Sequence, residues 1–133
     1  MIRRVFLIFS AGALGGLACS LLLWAMGQAG VTQAIGVAMA PSLTAAWLYP
    51  RIVWGGIWGA LFILRFPTGG WFVRGLLFSL GPSLAALLWF LPQAGLGWFG
   101  LNLGTLTPLI VLVVNACWGL VAAFSLRLVG QRA

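Results

Sequence analysis

Hydrophobic residues in this chain run in blocks about as long as a bilayer is thick, with polar positions collected between the blocks. A helix needs roughly 20 mostly apolar residues to cross a hydrocarbon core of about 30 Å. Residues 5–26, 71–91 and 106–126 each supply one such block. The remaining block, Ala34 to Leu64, is too long for one upright crossing and is interrupted by Pro41, Pro50 and Arg51. Its crossing is expected at about residues 45–64, preceded by a kinked extension or an interfacial helix. Lipid offers the backbone no hydrogen bonds, so each span must satisfy its own as a helix. The pattern predicts an all-α integral membrane protein, a single domain over residues 1–133 with four transmembrane helices.

The polar residues give this picture a direction. Arg3 and Arg4 precede the first span, Arg65 and Arg74 flank the link between the second and third, and Arg127 and Arg132 follow the fourth. With an even number of spans all six fall on one side, and arginine-rich loops stay in the cytoplasm. Both termini are therefore expected in the cytoplasm, in a bacterial inner membrane. The start of the chain has the outline of a signal sequence ending near Cys19. Gly16 stands where a lipoprotein signal carries a branched apolar residue, however, and the apolar run continues to Met26. An uncleaved helix is expected.

Two halves of the chain echo each other. Phe9-Ser10-Ala11-Gly12, Trp24 and Gln28-Ala29-Gly30 are followed in the second half by Phe78-Ser79-Leu80-Gly81, Trp89 and Gln93-Ala94-Gly95. Trp58-Gly59, Phe62 and Arg65 likewise precede Trp118-Gly119, Phe124 and Arg127. Repeats over residues 4–65 and 74–127 would be two helical hairpins of the same orientation, related by an axis along the membrane normal. Apolar helices associate in lipid through close backbone approach, which small residues four apart permit. Gly12 with Gly16, Gly55 with Gly59, and Gly119 with Ala123 are the candidates, facing helices of this chain or of a partner.

Composition excludes more than it assigns. There is no Asp, Glu or His, the seven charged residues are all arginine, and 63% of the chain is hydrophobic. General acid–base catalysis draws mainly on the absent side chains. Metal sites need carboxylate, imidazole or clustered thiolate ligands, and Cys19 and Cys117 are far apart in sequence. No catalytic residue, metal site or cofactor is expected. A coupled pump would ordinarily rest on intramembrane carboxylates. Nucleic acid is not an expected partner either. The net charge of +7 is spread along one membrane face, where anionic lipid headgroups account for it.

One constellation remains. Trp47, Arg51, Trp54 and Trp58 recur at helical spacing and stack on one face of the second span. Counting 14 residues inward from Arg65 puts Arg51 about 21 Å up, in the outer third of the core. It either snorkels to the outer headgroups among interfacial tryptophans, holds an anion with the help of Tyr49, or pairs with an acidic residue of a partner. Asn115 is a polar residue within the fourth span.

The cluster Gly12-Ala13-Leu14-Gly15-Gly16 resembles the start of the small four-span fluoride channels. That family implies an arginine soon after the glycines and a Thr/Phe/Ser-rich broken third span. Cys19-Ser20 and Phe78-Ser79-Leu80-Gly81-Pro82-Ser83 stand in those places, so the resemblance stops at the glycines. The function expected is that of an accessory subunit packing against other membrane chains, lipids or hydrophobic cofactors. The alternative is a small oligomeric channel or carrier for an anionic or amphiphilic substrate, with Arg51 as the recognition charge.

Overall fold

A computed structural model describes residues 2–64 and 70–130, so Arg65 and Arg132 lie outside the described residues. Among those described, all regular structure is helical. Helix α1 (Ile2–Gln28) is followed by one turn, α2 (Val31–Ala34). Helix α3 (Ala45–Trp58) tightens into a 3-10 segment, Gly59–Ile63. Helix α4 (Trp71–Ala85) widens into a π segment, Ala86–Phe90, and ends in α5 (Leu91–Gln93). Helix α6 (Thr107–Leu128) closes the chain. Three stretches are long and apolar enough to cross a membrane: Ile2–Gln28, Trp71–Gln93 and Thr107–Leu128.

The approach to α3 corrects one expectation. Residues 35–44 form neither a kinked extension of α3 nor an interfacial helix. Gly36 takes a left-handed φ of 76°, and Pro41 has no N–H to donate, so a helix is not continued through this stretch. The segment is held instead by tertiary bonds: Ala38 N donates to Leu103 O at 2.9 Å and Thr32 Oγ1 to Met39 O at 2.7 Å. Thr44 then starts α3 by accepting from Trp47 N at 3.2 Å.

Helix α3 packs on α1, α1 on α6, and α6 on α4. The ring is completed chiefly at one end, where α4 meets the 3-10 segment that follows α3. The α1–α3 contact is made by glycines. A Cβ on Gly12 would strike Gly55 O, one on Gly16 would lie 2.6 Å from Arg51 O, and one on Gly59 2.9 Å from Ile8 O. Helices α4 and α6 meet the same way: a Cβ on Gly75 would sit 2.8 Å from Gly119 O and 3.3 Å from Ala123 Cβ. All six small residues singled out in the sequence thus face helices of this chain. The echo between the halves is not repeated contact for contact. Gly81, the counterpart of Gly12, receives the side chains of Leu61 and Trp58 rather than a glycine of α6.

Arg4 and Arg74 gather at the end of the 3-10 segment, whose last carbonyls meet no helical donor among the described residues. Arg74 Nη2 donates to Leu64 O at 2.6 Å and to Phe62 O at 3.5 Å, and its guanidinium lies 5.0 Å over the Phe78 ring. Arg4 Nη2 reaches Phe62 O and Ile63 O at 3.4 Å. Neither α3 nor its continuation carries a basic residue in its last turn, so the cations that suit a helix C-terminus come from α1 and α4. Trp71 packs on Phe124, which brings the last turn of α6, with Arg127, to this same end.

Candidate functional site

The central fixture of the bundle is Trp118. Gly15 leaves room for the indole against α1. Its Nε1 donates to two helices at once, to Gly12 O at 3.1 Å and Gly55 O at 3.2 Å. Those bonds tie α6 to α1 and α3 and consume the only polar atom of the ring.

Above Trp118, toward the loop end, the helices enclose a cavity of about 460 Å3. Trp118 forms part of its floor. Pro50, Trp54 and Trp58 of α3 line one wall, and Pro82, Ala86 and Phe90 of α4 and its π segment line the facing one. Because α3 and α4 separate above the 3-10 end, the cavity is a cleft that opens sideways between these walls. Each wall carries a proline, and one also carries the π segment one turn past its proline. Such breaks in regular helix leave backbone without its ladder partner and recur where helices are shaped around a ligand.

Two polar side chains on facing helices enter this cleft. Arg51 lies one turn before Gly55 in α3, and Asn115 one turn before Trp118 in α6. The two helices run in the same direction and are pinned by the Trp118–Gly55 bond. Arg51 and Asn115 therefore sit at one level, a turn above the floor. Arg51 Nε donates to Ser20 Oγ at 2.7 Å, and Ser20 Oγ donates in turn to Gly16 O at 2.6 Å. The guanidinium stands 5.0 Å over the Trp47 ring, beside the Cys19 thiol that also lines the cleft. Its Nη groups meet no oxygen acceptor among the described residues, and the Asn115 amide makes no side-chain hydrogen bond there.

The structure gathers Trp47, Arg51, Trp54 and Trp58 as their spacing implies, with Trp47 against the cation and the other two along the cleft. It does not bring Tyr49 to them: that residue is 63% exposed on another face of α3. Ser20 and Trp118 were not foreseen as site residues. Nothing in the local sequence ties Ser20 to Arg51, and Trp118 figures there only in the echo between Trp58-Gly59 and Trp118-Gly119. Cys19 and Cys117 are both free.

No protein-family model, no curated protein sequence and no solved structure matches this chain. The function has to be argued from the cleft itself.

Proposed function

We propose that this protein is a non-enzymatic, four-span membrane protein that holds an anionic amphiphile in the cleft beside Arg51. The observation that carries the reading is a guanidinium inside an apolar bundle whose Nη groups meet no oxygen acceptor among the described residues. A half-buried cation costs free energy unless something pairs with it, and this chain contains no carboxylate side chain. The pairing group has to come from outside, and the way in is the lateral opening, which faces lipid.

The fourth span in this reading is α3 with its 3-10 continuation, Ala45 to Ile63. The hairpins α1–α3 and α4–α6 are each sealed by glycine contacts. With the arginine end in the cytoplasm of a bacterial cell, Arg51 serves the outer leaflet. Among the described residues that line the cleft, Cys19 is the one nucleophile and none is a general base, which supports binding rather than catalysis.

A second reading, an accessory subunit, draws on the same gap between α3 and α4. There a helix of another chain would bring its own carboxylate to Arg51. Extraction in native membrane lipids followed by native mass spectrometry separates the two. Lipid adducts that disappear in Arg51→Gln are expected here. A distinct polypeptide travelling with the wild type and lost from the variant would replace the lipid reading with the subunit one.

A further inference from the structure

We infer that the occupant of the cleft is a single-chain monoanion, a long-chain carboxylate, seated head-inward on Arg51 with its chain leaving between α3 and α4. The inference rests on the amphiphile reading above and adds its charge, its chain number and its path.

Charge comes first. Arg51 is the one cation among the described residues that line the cleft, and Asn115 is neutral. A phosphate monoester carries between about 1.5 and 2 negative charges at neutral pH, which would leave an unneutralised anion in an apolar site. A carboxylate carries one. Its two oxygens also match the geometry left over once Nε is committed to Ser20, because the paired Nη donors form a fork that suits a planar, two-oxygen acceptor. A phosphate diester would balance the charge as well, but in membrane lipids it ordinarily arrives with two chains.

Volume then decides between one chain and two. At about 30 Å3 for each water- or methylene-sized unit, a cavity of about 460 Å3 holds roughly 15 of them. That accommodates a carboxylate with most of one long chain. Both chains of a two-chain lipid do not fit inside it.

The path follows from where the walls part. From Arg51 down to Trp58 is seven residues of α3, about 10 Å, lined by Trp54 and Trp58 and faced by Pro82 and Ala86. A chain laid there runs from the level of Arg51 toward the middle of the bilayer, the direction in which the bilayer's own acyl chains point. The floor directs it outward, since the Trp118 indole N–H is already bonded on both sides and offers the ligand nothing polar.

The test uses the full-length protein in nanodiscs of phosphatidylcholine, probed at alkaline pH. The probes are hexadecanoate, the zwitterionic lysophosphatidylcholine with the same chain, and two-chain phosphatidylglycerol. Retention of each is read by native mass spectrometry on the wild type, Arg51→Lys and Arg51→Gln. Hexadecanoate should be retained at least tenfold better than either other lipid, with that advantage reduced in Arg51→Lys and abolished in Arg51→Gln. Quenching of wild-type tryptophan fluorescence by mid-chain-brominated hexadecanoate needs no variant to fold. It should saturate, and unlabelled hexadecanoate should reverse it. Preferential, Arg51-dependent retention of phosphatidylglycerol would overturn the single-chain inference and leave the amphiphile reading standing. Equal retention of all three, with no saturable quenching, would remove both.

Discussion

Two halves of one bundle treat an arginine in opposite ways. At the arginine end the core is closed: Phe62 is fully buried, its ring 5.0 Å from Phe78 and 6.1 Å from Trp118. Ala122, Ala123 and Leu126 are equally hidden. Arg74 is wholly buried there too, held by backbone carbonyls and an aromatic face. At the loop end the same helices part around a cavity, and Arg51 stands in it half-buried, beside one hydroxyl, one thiol and one indole. The difference lies in what each cation faces. Arg74 lies opposite a helix terminus, where carbonyls lack intrahelical partners. Arg51 lies opposite the middle of α1, where the carbonyls already belong to the helix. An arginine at a helix end is absorbed into the fold, whereas one beside a helix middle finds few backbone acceptors, and in the proposed function its remaining donors are assigned to a ligand.

The comparison breaks most violently if the closed half is forced apart. Gly119→Leu puts a side chain where a Cβ alone would already collide with Gly75 O, and backbone cannot give way as a side chain does. Overpacking typically costs 1–3 kcal/mol when side chains can adjust, and here the expected loss is at least that. The purified variant should lose its monodisperse elution in mild detergent. Gly81→Ala is the control: its new methyl meets the end of the Leu61 side chain at 2.9 Å, which can rotate away, and it should elute as the wild type does.

Removing Arg74 is the next largest expected effect. Arg74→Gln surrenders the charged bond to Leu64 O, a contribution of about 1.5–3 kcal/mol for hydrogen bonds of this kind. Thermal unfolding in detergent should fall clearly, and amide hydrogen exchange should accelerate around Phe62 to Leu64 before it does elsewhere. Trp118→Phe should cost somewhat less, about 1–1.5 kcal/mol, since Gly55 O keeps its helical donor Gly59 N when the indole bond is lost. A stability loss for Arg51→Gln as large as that for Arg74→Gln would erase the distinction between the two arginines.

That distinction was only half visible in the sequence. Block length located the long apolar helices, because crossing a bilayer demands a run of known size. The four- and three-residue spacings placed Trp47, Arg51, Trp54 and Trp58 on one face, because helical periodicity is local. The glycines marked where helices touch, though not which helices. Arg74 read as one more flanking charge, since nothing near it in sequence shows that the end of the 3-10 segment, ten residues earlier, folds back onto it. Ser20 and Trp118 are joined to their partners across 31 and 63 residues or more, separations that no local pattern encodes. The cleft itself is a property of two walls that diverge, and divergence has no residue of its own.

The smallest effect on the fold should come from Arg51, the residue to which the proposed function assigns the binding charge. Arg51→Gln gives up the bond to Ser20 and a contact with Trp47 of about 0.5–2 kcal/mol. It also relieves the bundle of a cation that the protein alone does not neutralise. These terms oppose each other, so melting in lipid-free detergent should shift by about 1 kcal/mol or less in either direction. The difference should emerge only on adding the long-chain carboxylate. A ligand present at a hundred times its dissociation constant stabilises the folded state by about 2.7 kcal/mol through mass action alone. The wild type should gain that increment and Arg51→Gln should gain none, while Arg74→Gln, although less stable from the outset, should still gain most of it. Loss of the increment in Arg74→Gln with its retention in Arg51→Gln would assign the binding charge to the wrong end of the bundle.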